Sequence, residues 1–171
     1  MLATSLQQPD TFSFYNLVVF LHITAAIIAF GVTFVYPLID VVIHRPANRH
    51  HLPWWYRLQA LIDQRVTTLA ATVVLLAGIY LAAAGPYKFS STFVSIGIVI
   101  IVVILGLLGA FLAPTERKLA DLAERDIAAS AGGDVRLSGE YEALASRLRM
   151  VGAVASGLVL IAVFVMVMKP A

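Results

Sequence analysis

Cysteine is missing from this chain of 171 residues, and disulfides, thiolate metal centres and a cysteine nucleophile are excluded with it. Charge is scarce too: Asp, Glu, Lys and Arg supply 13% of the residues, against about 25% in soluble domains. So thin a charged surface does not solubilise a chain that is 60% hydrophobic with a mean hydropathy of +0.89, and the composition reads as a membrane protein. Residues 1–14 contain no Lys or Arg, so the basic n-region of a secretory signal is lacking and the first apolar segment reads as retained. Gly-rich phosphate loops, internal repeats and Ser/His/Asp constellations are absent. Basic residues gather in loops rather than on one face, which excludes a nucleic-acid partner. Nothing in these absences decides whether the protein is an enzyme.

What is present is length of apolar run. A hydrocarbon core about 30 Å thick takes about 20 apolar residues in a helix, and residues 14–43, 65–84, 92–113 and 149–168 qualify. Stop signals follow each: Pro37 and Arg45-Pro46, Gly85-Pro86, Pro114, and Lys169-Pro170. The prediction is an all-α membrane protein, a single domain over residues 1–171 built as an antiparallel four-transmembrane-helix bundle. Small residues such as Gly78, Gly106 with Ala110, and Gly152 with Ser156 let such helices approach closely.

Lys and Arg set the orientation. The 1–2 connection holds Arg45, Arg49, Arg57 and Arg65, and the 3–4 connection holds Arg117, Lys118, Arg125, Arg136, Arg147 and Arg149. Against those ten stand Lys88 and Lys169. Both connections are therefore expected in the cytoplasm and both termini outside it, in a bacterial inner membrane.

Within the 1–2 connection, HLPWWYRLQALIDQ joins aromatic rings to a basic amphipathic turn, and residues 53–64 are expected to lie as an interfacial helix in the lipid bilayer's headgroup layer. The neighbouring HRPANRHH reads as a solvated basic loop rather than a metal tract. In the 3–4 connection Leu119, Leu122, Ala123 and Ile127, then Tyr141, Leu144 and Leu148, recur at helical spacing around AGGDVRLSG. Residues 114–148 should form a cytoplasmic helical hairpin extending helices 3 and 4. Glu116, Asp121, Glu124 and Asp126 are expected on its solvated face in local ion pairs with its arginines, although the hairpin also offers a docking surface to a partner in a larger membrane complex.

The first span carries one polar stripe. At about 100° per residue, Ala25, Ala26, Ala29, Thr33, Tyr36 and Asp40 share the face of His22. The stripe covers about 27 Å from His22 to Asp40, and an Asp40–Arg65 ion pair is the simplest closure of its inner end. An ionisable group inside a span is costly and invites a functional reading. His22 reads as an interhelical hydrogen-bonding group, as an axial ligand of haem b beside the small alanines, or as a proton-transfer group on a small transport path. The remaining histidines lie in the 1–2 connection, so a six-coordinate haem would require Met166 or Met168 as the second ligand or a second His22 across a homodimer. Without haem, the chain reads as a non-enzymatic accessory or scaffold subunit.

The stretches LVVFLHITAAIIAFG, LAPTERKLADLA, YEALASRLRMVG and VMVMKP resemble a bacterial family of predicted integral membrane proteins of unknown function, and the resemblance spans almost the whole chain. It implies a four-helix membrane protein. The first helix is more distantly similar to small haem-binding membrane protoporphyrinogen oxidases and to copper-resistance D membrane proteins. That similarity implies a haem-binding role for His22, the matching position, with AIIAFGVTF standing where those families place a tryptophan and paired small residues.

Overall fold

The computed structural model describes residues 13–86, 89–130 and 133–169. Part of the GPYKFSS turn, including Lys88, and part of the AGGDVRLSG turn lie outside these residues. Four long helices are apolar enough to cross a membrane, Phe14–Ile43, Pro46–Ala84, Thr92–Ala129 and Gly139–Met168, and no strand occurs among the described residues. In chain order they comprise α1 (Phe14–Ile43), a 3-10 turn (Pro46–His51), α2 (Leu52–Ile62), a π turn (Asp63–Thr67), α3 (Thr68–Ala84), α4 (Thr92–Leu107), a second π turn (Leu108–Leu112), α5 (Ala113–Ala129) and α6 (Gly139–Met168). Serine precedes α1, α4 and α6, and at α1 and α6 its side chain caps the helix. The Ser13 hydroxyl accepts the Asn16 N–H at 3.2 Å and the Ser138 hydroxyl accepts the Tyr141 N–H at 3.3 Å, each satisfying an orphan donor of a first turn.

Two prolines do not stop their helices as the sequence suggests. Pro37 lies inside α1, which runs on to Ile43, and Pro114 opens α5 directly after the second π turn. A proline clashes with the carbonyl four residues earlier, and a widened π turn just before Pro114 relieves that clash. At Pro37 no widening occurs. Its missing amide instead frees the carbonyl of Thr33, four residues back.

The outer surface of the spans is apolar, with Phe20, Ile27, Leu38, Leu160 and Val167 all exposed as a lipid-facing belt requires. Packing inside the bundle is uneven. The first and second spans meet most closely, where Ala25 and Ala29 of α1 bury against Ala71 and Val74 of α3. At the end of the bundle that carries the two basic connections, Leu52 and Tyr56 of α2, Leu119 and Ala123 of α5, and Tyr141 and Leu148 of α6 form the largest core. Trp55 and Tyr56 therefore belong to the junction of α2 with the hairpin, and only Trp54 of the aromatic cluster is exposed, at 64%. By contrast α1 and α6 touch sparingly. That sparse seam leads to the candidate site.

Candidate functional site

Continuing the buried stripe of α2 (Leu52, Trp55, Tyr56, Gln59, Ala60) by one more turn reaches Asp63 and then Thr67. Continuing the α5 stripe backwards from Leu119 and Ala123 by three and seven residues reaches Glu116. The two π turns touch, so both carboxyl groups are carried into the same interior. Asp63 is 3% exposed and Glu116 is wholly buried. Tyr36 of α1 donates its hydroxyl to Asp63 Oδ1 at 2.9 Å, and Thr67 donates to the same oxygen at 3.2 Å. Glu116 is different: Asp63 and Gln59 flank it, yet neither carboxyl oxygen accepts a hydrogen bond among the described residues.

These groups wall a cavity of about 330 Å³. Its polar end is made by Tyr36, Asp40, Gln59, Asp63, Glu116 and Arg149, and its apolar end by Phe30, Ile104, Leu108, Leu112 and Val159. Pro37 and Val41 of α1, with Arg149 and Ala153 of α6, are exposed as well as lining. The cavity thus opens sideways through the sparse α1–α6 seam. Gly152 and Ser156 line the same gap, and a Cβ at Gly152 would meet nothing within 4 Å. On α6 these small residues leave space rather than closing a helix contact.

Of the stripe read from the sequence, Thr33, Tyr36 and Asp40 stand on this wall. His22 and Arg65 do not. Arg65 is exposed and forms no ion pair among the described residues, because Asp40 has other partners: His44 Nδ1 at 3.3 Å and Arg149 at 3.7 Å. The expected Asp40–Arg65 closure is therefore replaced by closure from α6. His44, expected in a solvated loop, is held at its Nε2 by the Tyr141 hydroxyl at 2.9 Å, and that hydroxyl in turn donates to Tyr56 at 3.4 Å.

His22 turns towards α3, where a Cβ on Gly78 would stand 3.2 Å from its Cε1. Its Nδ1 is buried without a hydrogen-bond partner among the described residues, while the imidazole lies beside the Val74 backbone of α3. Met166 packs elsewhere, its Cε against Gly97 of α4, where a Cβ would stand. The two prospective haem ligands are seated against different helices. The alanine face that would have to admit a macrocycle is closed by Ala71 and Val74. A shallower depression nearby, between Val18, Leu21, Leu76 and Ala77, has no His22 on its wall. The residues present at His22 do not fit a haem.

Within the hairpin, Lys118–Glu140 (3.2 Å) and Arg125–Glu140 (3.4 Å) follow the expectation of local ion pairs, whereas Glu124 pairs outside it, with Arg57 of α2 at 2.6 Å. Glu116 departs from that expectation, and Asp126 keeps a local ion pair, with Arg125 at 3.3 Å, but is buried rather than on a solvated face. Asp126, 6% exposed, accepts the Ser138 N–H at 2.7 Å and ties the end of α5 to the start of α6, a structural duty. Glu116 has no such duty. Sequence reasoning did not single out Asp63 and read Glu116, beside Arg117, as solvated, although the helical spacing already put each on a buried stripe.

Residues 16–170 match the family model described as Predicted integral membrane protein (DUF2269). The chain belongs to this family. No curated protein and no solved structure matches it. DUF2269 membership agrees with the four long apolar helices and leaves the role of the carboxyl-lined cavity to be argued from its chemistry.

Proposed function

We propose that this DUF2269 protein is a small-molecule-binding membrane protein that admits an amphipathic ligand sideways from the bilayer, between α1 and α6. The observation that carries this reading is the cavity itself: an apolar chamber with a few convergent polar side chains at one end, the usual make-up of a ligand site. Its volume of about 330 Å³ is near the small end of ligand pockets, which span roughly 300–1,000 Å³, and suits one aliphatic chain better than a two-tailed lipid. The distribution of Lys and Arg supports a reading with the basic end in the cytoplasm of a bacterial inner membrane. On that orientation the ligand's polar end lies near the cytoplasmic headgroups.

The test is photolabelling of the purified protein in a neutral maltoside detergent with a long-chain alcohol bearing a diazirine, followed by peptide mapping. Labelling concentrated in residues 30–41 and 148–159 supports the reading. Labelling that simply follows lipid exposure, as strong at Val102 and Val103 or at Val163 and Phe164 as at the seam, overturns it.

A further inference from the structure

We infer that the cavity takes a ligand bearing a primary ammonium group on an aliphatic chain, the ammonium docking against Glu116 and Asp63; the inference rests on the binding role proposed above. Four charged side chains line the cavity, Asp40, Asp63, Glu116 and Arg149. Arg149 is engaged with Asp40 at 3.7 Å, which leaves the other two carboxyl groups without a cation on the wall. Arg117, next in the chain to Glu116, turns outward to the Gln64 side chain and is exposed.

Glu116 decides the chemistry. A carboxylate offers about four acceptor positions, and burying it without donors is among the costlier things a protein does. Asp63 Oδ1 already has two donors, in Tyr36 and Thr67, whereas both oxygens of Glu116, a residue of the cavity wall, are fully buried and accept nothing among the described residues. A single proton shared with Asp63, even with the neighbouring Gln59 amide turned to the other oxygen, would leave the pair's remaining negative charge uncompensated. A primary ammonium supplies three donors and a compensating charge from one atom, enough for both. A quaternary ammonium carries the charge without the donors, and an alcohol brings a donor without the charge. A divalent metal fits less well, because no third His, Asp or Glu converges on the pair among the described residues and hard cations require about six oxygen ligands. The rest of the chamber, from Leu112 and Leu108 towards Phe30 and Val159, receives the chain.

The experiment is competition against the diazirine alcohol by dodecylamine, dodecyltrimethylammonium, dodecanol and a phosphatidylethanolamine, on the full-length protein and on Glu116→Gln and Asp63→Asn. Dodecylamine should displace the label from residues 30–41 and 148–159 at about tenfold lower concentration than dodecanol, the difference a charged hydrogen bond makes. Glu116→Gln should erase that advantage, so that dodecylamine and dodecanol compete at similar concentrations. Displacement by phosphatidylethanolamine as well would identify a lipid headgroup as the source of the amine, and displacement by dodecylamine alone would identify a free amine. If dodecanol or the quaternary ion competes as well as dodecylamine, or if both variants keep the amine preference, the inference is overturned while the cavity's binding role stands. Failure of every compound, with no label at the seam to displace, overturns the binding role itself. Should Glu116→Gln not fold, Asp63→Asn carries the same comparison.

Discussion

Tyr36 and Asp63, from the first and second long helices, share a hydrogen bond of 2.9 Å. The bond joins the middle turn of a polar stripe on α1 to the first residue of a π turn, and it sets the floor of the carboxyl-lined cavity. Tyr36→Phe removes one of the two donors to Asp63 Oδ1 and leaves Thr67 at 3.2 Å as the other. Leaving a buried acceptor short of a partner costs about 1–3 kcal/mol. Equilibrium unfolding in mixed micelles should show a loss of that size for Tyr36→Phe, and an unchanged stability would mean the bond does not hold the first two spans together.

Three glycines within the spans should respond differently to the same substitution. At Gly78 an added methyl meets the rigid His22 ring at 3.2 Å, so Gly78→Ala should destabilise the α1–α3 contact. At Gly97 it meets the far end of Met166, a side chain that moves aside easily, so Gly97→Ala should be close to neutral. At Gly31 it meets nothing within 4 Å, and Gly31→Ala should stabilise slightly, by up to about 1 kcal/mol, through helix propensity. Thermal unfolding of the three variants in one detergent gives the order, and a neutral Gly78→Ala with a damaging Gly31→Ala would reverse it.

The number of spans, their antiparallel order and the helical extension of the third and fourth were legible in the sequence, because about 20 apolar residues leave a helix few alternatives in a bilayer. Position on a face was legible as well: the period that placed Thr33, Tyr36 and Asp40 together on α1 does put them on one cavity wall. Partner choice was not. Asp40 and Arg65 were matched by depth along the membrane, but which residue of α6 reaches α1 depends on helix rotation and packing, and there Arg149 stands 3.7 Å from Asp40. Glu116 was misjudged for a different reason, and Asp63 was not singled out. A glutamate beside Arg117 reads as solvated, whereas the spacing of three residues from Glu116 to Leu119 and four from Gln59 to Asp63 puts both carboxyl groups in the interior.

At the hairpin junction, apolar packing should outweigh the surface ion pairs. Arg57 bonds Glu124 at 2.6 Å and Asp121 at 3.7 Å, but all three side chains are more than half exposed, and exposed pairs contribute about 0–1 kcal/mol. Leu52 is completely buried in the same junction, and large-to-small changes at such positions cost about 2–5 kcal/mol. Unfolding measurements should therefore find Arg57→Ala mild and Leu52→Ala severe. Equal losses would show that the ion pairs, not the core, fasten α2 to α5.

Gly152→Leu tests the lateral cavity most directly. Gly152 lines the seam and has open space where a Cβ would stand, so a leucine there should fill the opening without disturbing the fold. In the diazirine photolabelling experiment we expect Gly152→Leu to retain the thermal stability of the native chain and to lose most labelling of residues 30–41 and 148–159. A stable Gly152→Leu protein labelled at those residues as strongly as the native chain would contradict a ligand site entered between α1 and α6.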